Sequence, residues 1–162
     1  LKFSGDDNRI DIAGSEVSMR QIHPHALWLG HVGDVREWRA VFDAGIQAIV
    51  DLAGNESPAD PPRDLIYHRF PLVDGAGNPD WLLKLACRTV ADLLVANVFV
   101  LVYCSAGMSR SPAIAAAAIA VATKQPLDQI LAAVQLAGDV DVSPGLWKSI
   151  NSCTLFSDRN AG

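Results

Sequence analysis

The sequence predicts a single α/β domain on an open, mostly parallel central sheet of about four to five strands with helices on both faces. Three observations carry that expectation. Short apolar runs rich in β-branched residues alternate with segments of helical period along most of the chain. One of them, VFVLVY (98–103), is apolar at every position, as a central strand buried on both faces is. Half of the 162 residues are apolar, enough for one core without disulfides.

The elements follow in order. Residues 1–21 are a polar lead-in with scattered apolar positions, 22–156 the folded domain, and 157–162 a tail. ALWLG (26–30) predicts a short strand. GDVREWRAVFDAG (33–45) predicts a helix, because Val35, Trp38, Val41 and Phe42 recur at helical spacing and Gly45 stands where a C-cap belongs. IQAIVDL (46–52) predicts a strand, and the loop after it, AGNESPADPPRD, holds three prolines that forbid regular structure. LIYHRFPL (65–72) alternates as a strand does. Asn78-Pro79 then opens a helix to about Ala96, with proline tolerated in the first turn. Beyond VFVLVY and a short loop, helices are expected from about Arg110 to Lys124, from Pro126, and from about Pro144 to Phe156. No internal repeat or low-complexity segment interrupts them.

Charge and cysteine usage narrow the function classes. A net charge of −5 and a pI near 5.2 argue against a general nucleic-acid binder or a protein seated on anionic membrane. Cys87, Cys104 and Cys153 are odd in number and unpatterned in spacing, so free thiols in a reducing, cytoplasmic setting are expected. No run reaches the ~18 apolar residues of a membrane helix, and AIAAAAIAVA reads as a close-packed core helix. No secretory-signal pattern opens the chain. It begins at Leu1 and not at a methionine, which leaves room for a preceding segment.

The stretch YCSAGMSRSP (103–112) concentrates the chemistry. Ligands of such sheets bind at the carboxyl ends of strands, where the next helix begins. Cys104 stands at that end and Arg110 at the predicted helix start, five small or flexible residues apart. Backbone N–H groups of such a loop can surround one tetrahedral anion, aided by the positive end of the helix dipole. Gly107 allows close approach or positive φ, and the Arg110 fork can grip two phosphate oxygens. The same field favours the thiolate form of a cysteine. Cys104 is therefore placed as a nucleophile toward phosphorus, and Arg110 as the holder of the phosphoryl group. Cys87 and Cys153, at predicted helix positions, read as small buried hydrophobes.

CSAGMSRSP resembles the cysteine-x5-arginine loop of the protein tyrosine phosphatase superfamily, and most of all that of the dual-specificity phosphatases. Cys104, Gly107, Arg110, Ser111 and Pro112 match that family's loop. ALWLG, FDAGIQAIVDLAGNE and YHRFPLVD fall in its order and spacing, so the likeness spans roughly residues 22–156. It implies dephosphorylation of phosphotyrosine and phosphoserine or phosphothreonine, with no cofactor and no metal. Residues 105–110 (Ser105, Ala106, Gly107, Met108, Ser109, Arg110) would form the phosphate cradle, and Ser111 would stabilise the leaving thiolate. The general acid implied is an aspartate about thirty residues before the cysteine. Asp74 fits that place, although Asp-Gly is also an ordinary turn dipeptide. Asp80 is its rival, and reads more simply as a first-turn helix charge.

Two departures stand out. Tyr103 occupies the place of a family histidine, where its hydroxyl could support the loop or its ring could fill the core. VQLAGDVDVSPGLWKSI lacks an arginine that the family often carries there. Ser105, Ala106, Met108 and Ser109 are uncharged, which disfavours a highly phosphorylated lipid as substrate. A phosphorylated protein or a small phosphomonoester is the expected partner, without nucleic acid or membrane span, and nothing bears on oligomeric state. His23-Pro24-His25 suggests a metal only weakly, since no third ligand is spaced to join it; His31 and His68 are expected on a loop and a strand. Two other functions compete: a phosphate-binding module without turnover, and a thiol-dependent arsenate reductase. The latter class carries its loop near the N-terminus, whereas here it lies two-thirds along.

Overall fold

VFVLV ends as the middle strand of five. In the computed structural model, described for residues 18–157, the strands are β1 (Arg20–Gln21), β2 (Leu27–His31), β3 (Ala48–Ala53), β4 (Ile66–Leu72) and β5 (Val100–Cys104). Their order is β1-β2-β5-β3-β4. β5 pairs in parallel with β2 and β3, β4 pairs in parallel with β3, and only β1 runs antiparallel. All five β5 residues are buried, which is why that run carries no polar alternation.

Successive side chains divide between two cores. Val100, Val102 and Cys104 face a layer formed by α2 (Asp80–Val95), α3 (Arg110–Thr123), α4 (Leu127–Leu136), α5 (Pro144–Asn151) and α6 (Thr154–Ser157). Leu101 and Tyr103 face the smaller layer under α1 (Trp38–Asp43). Ala113 and Ala115–Ala118 of α3 are fully buried, and their short side chains let the helix sit close against the sheet and its neighbours. Among the described residues no helix is long and apolar enough to cross a membrane. The fold class expected from the sequence is the one observed.

Several boundaries differ for physical reasons. The helix expected over 33–45 is a 3-10 turn (Asp34–Arg36) followed by the six-residue α1, with Glu37 leaving helical geometry between them. Buried Asp34 accepts bonds from the backbone N–H groups of His31 and Ser18, both 2.8 Å, and this ties the turn to the end of β2. The last helix is also two pieces, so Cys153 lies in the break between α5 and α6 and not in a helix. His31 is the final residue of β2 and not part of a loop. β1 falls inside the lead-in. Residues 1–17 of that lead-in and 158–162 of the expected tail lie outside the described residues.

Candidate active site

β5 delivers Cys104 to the carboxyl edge of the sheet, and α3 begins six residues later at Arg110. Between them the chain folds into a tight loop. Gly107 has φ +73°, and a Cβ there would lie 2.9 Å from the Gly30 carbonyl oxygen, so only glycine fits. The Met108 carbonyl accepts from Asp141 N at 2.8 Å, and the Ser105 carbonyl makes a longer contact of 3.5 Å with Val32 N. Both oxygens point toward neighbouring segments. Since C=O and N–H oppose each other across a trans peptide, the N–H groups of Ala106 and Ser109 turn away from those segments. The Cys104 thiol is buried and 3.4 Å from the Ser111 hydroxyl in the first turn of α3.

Arg110 is held along part of its guanidinium and open along the rest. Nη1 donates to Asn55 Oδ1 (2.8 Å), the Leu72 carbonyl (3.1 Å) and, at 3.4 Å, the Leu52 carbonyl. Nη2 donates to Ser105 Oγ at 2.9 Å. Nε is buried with no hydrogen-bond partner among the described residues. A buried unpaired guanidinium N–H is costly. Nε and the second Nη2 hydrogen form the side fork that an oxyanion fills with two parallel bonds.

Asp74 meets this loop from the segment after β4. Ser109 Oγ donates to Asp74 Oδ1 at 2.5 Å and accepts from Ser143 N at 2.9 Å. Asn78 shapes the segment, accepting from Val73 N (2.8 Å) and donating to the carbonyls of Val73 (2.8 Å) and Gly75 (3.2 Å). Asp80 is elsewhere. It lies in the first turn of α2, 2.9 Å from Lys84 Nζ, whose hydrogen bond holds its carboxyl below the usual range. The structure thus brings Asp74 to the loop and leaves Asp80 in an ordinary helix-start pair.

Tyr103 faces away from the thiol. It is paired with Asp51 across β5 and β3, and both belong to the α1 side of the sheet. Burial pushes its hydroxyl well above the ordinary tyrosine range, reinforced by the charge of Asp51 and by hydrogen bonds with Asp51 and Tyr67. Its hydroxyl therefore belongs to a polar cluster on the far face and does not lie under the Cys104 thiol. Cys87 and Cys153 are free and buried, and burial raises both thiols.

An open cleft of about 490 Å³ borders the loop, lined by Gly54, Asn55, Pro71, Leu72, Val73, Asp74 and Arg110. Val73 is substantially exposed in its lining, and among the described residues Arg110 is the one cation that lines it. Three roles are absent from the sequence reading: Asn55 as an acceptor for Arg110, the Ser109 hydroxyl as the partner of Asp74, and Asp51 as a buried carboxylate. A charge inside the apolar run IQAIVDL was the one available signal, for Asp51. Among the described residues no group of three or more His, Cys, Asp or Glu side chains is gathered to hold a metal.

The fold is similar to that of solved dual-specificity phosphatases. Human DUSP28 superposes with a TM-score of 0.76 at 21% identity, over 88% of this chain and 95% of that one. Human tyrosine phosphatase-like serine/threonine/tyrosine-interacting protein gives 0.71 at 21%, over 83% and 93%. Tk-PTP in its active form gives 0.72 at 19%, over 86% and 97%. No protein-family profile and no curated protein matches the sequence itself. The likeness is one of fold.

Proposed function

We propose that this chain is a phosphatase that hydrolyses phosphate monoesters through a cysteinyl-phosphate. The observation that carries the reading is the Arg110 fork, buried, fixed along its Nη1 side and unpaired at Nε, on a loop closed around a cysteine. In the first step Cys104 Sγ attacks phosphorus, the S–P bond forms, and the ester P–O bond breaks. Asp74 gives its proton to the leaving oxygen. In the second, water attacks phosphorus, Asp74 takes the water's proton, and the S–P bond breaks as the Ser111 hydroxyl bonds the departing sulfur. Loop N–H groups and Arg110 hold the equatorial oxygens throughout.

The cleft supports a reading of the substrate class. It is open and its rim is largely uncharged, which suits a single phosphoryl group on a protein side chain, phosphotyrosine or phosphoserine and phosphothreonine, or on a small molecule. The chemistry requires a reduced thiol, so a reducing compartment such as the cytoplasm is its setting. Chromogenic aryl phosphate tests the reading. The native chain should turn it over, and Cys104→Ser should lose turnover while still binding tungstate. Activity retained in Cys104→Ser would overturn it.

A further inference from the structure

Asn55 lies in the proline-rich loop after β3, yet its side chain reaches the phosphate loop twice. Oδ1 accepts from Arg110 Nη1 at 2.8 Å and from Ser105 Oγ at 2.9 Å, while Ser105 Oγ itself accepts from Arg110 Nη2 at 2.9 Å. The three groups close a ring on the guanidinium edge opposite its open fork. A loop amide can hold an arginine only as firmly as the loop is held. Here the stretch just before Asn55 passes against β4: a Cβ on Gly54 would lie 2.8 Å from the Leu72 carbonyl oxygen. Arg69 of β4 donates from Nη2 to the carbonyls of Ala53 (3.3 Å) and Glu56 (2.9 Å), the residues bracketing Gly54 and Asn55. Arg69 is fixed by Asp51, through Nη1 at 2.7 Å. Asp51 also accepts from Tyr67 at 2.5 Å, and the Tyr67 hydroxyl accepts from Ala59 N at 3.2 Å, further along the same loop.

We propose that Asn55 is the positioning residue for Arg110, and that the Asp51–Arg69–Tyr67 cluster on the far face is the anchor that keeps Asn55 in place. The proposal rests on the phosphatase reading for what Arg110 binds. Without Asn55, two carbonyl contacts remain on Nη1, the longer at 3.4 Å, and the planar fork can swing away from its bidentate angle.

Tungstate binding in a Cys104→Ser background, read by calorimetry, tests it. Asn55→Ala should weaken binding about ten- to a hundredfold, the scale of one lost hydrogen bond to a charged group. In a Cys104→Ser, Arg110→Lys background the same change should cost little, since its effect runs through the fork. Arg69→Met should weaken binding in the same direction without touching the site. If native protein hydrolyses aryl phosphate and Asn55→Ala binds tungstate as tightly as its parent, the inference fails alone. Additive losses in the Arg110→Lys background also overturn it. If native protein neither hydrolyses aryl phosphate nor binds tungstate, the underlying reading fails with it. Should Asn55→Ala not fold, Ser105→Ala opens the same ring from the other side and should show the same coupling to Arg110.

Discussion

Two aspartates six residues apart have opposite fates, and the difference is set by what lies within hydrogen-bond reach. Asp74 is bonded to the phosphate loop through Ser109, and Asp80 is bonded to Lys84 on its own helix. Asp74→Asn should slow phosphopeptide hydrolysis by ~10²–10⁴, and far less for an aryl phosphate whose leaving group needs no proton. Asp80→Asn should leave both rates near native; steady-state kinetics on the two substrates decides. Tyr103 is tested by the opposite kind of result. Tyr103→Phe should change stability by no more than about 1 kcal/mol, since it removes one hydroxyl beside Asp51 and keeps the buried ring. The pH profile for iodoacetate alkylation of Cys104 should stay native, because the hydroxyl is on the other face of the sheet. A displaced profile would return Tyr103 to the thiolate. The Cys104–Arg110 loop was legible in sequence because its spacing is set by a strand end and a helix start, whereas Asp74 was suggested only by the family resemblance. Asn55 was not, since a long-range side-chain bond from an irregular loop leaves no periodicity behind.

At the level of elements, the site is assembled from segments that the parallel sheet brings to one edge. β5 and α3 carry Cys104 and Arg110, the segment after β4 carries Asp74, and the loop after β3 carries Asn55. The register of β3 against β4 shifts between Asp51 and Ala53, so β4 gains on β3 and its Leu72 carbonyl comes into reach of Arg110. Strand and helix identities could be read from apolar period, as in the β5 run. Breaks at Glu37 and Cys153 could not, because the period continues across them and a buried Asp34 or an irregular turn decides the geometry. The Asp74 segment has no regular structure, and Asn78 supplies its shape with three hydrogen bonds. Asn78→Ala should therefore lower kcat for phosphopeptide about tenfold while leaving tungstate affinity unchanged, consistent with the loss of local bonds that aim the acid. Equal losses in both would mean that the segment serves binding instead.

For the whole molecule, the buried thiols set an alkaline limit. Cys87 is fully buried, and its thiol is raised above the ordinary value of 9.0 chiefly by burial. The unfolded chain releases this proton above about pH 9 while the folded chain keeps it, so unfolding is favoured as pH rises from there. Each such group gives a slope of about 1.4 kcal/mol per pH unit. Thermal midpoints should be level from pH 7 to about 8.5 and fall above 9. In Cys87→Ala that fall should be shallower, and an unchanged slope would assign it to other groups. Turnover itself depends on one bond, from Cys104 Sγ to phosphorus. With Asp74→Asn and a radiolabelled aryl phosphate, the first step proceeds without an acid while the second lacks its base, so the intermediate accumulates. Acid quenching during turnover, followed by peptide mapping, should find the labelled phosphoryl group on the peptide containing Cys104. Label on another residue, or hydrolysis that continues with no labelled protein, would rule out a cysteinyl-phosphate at Cys104.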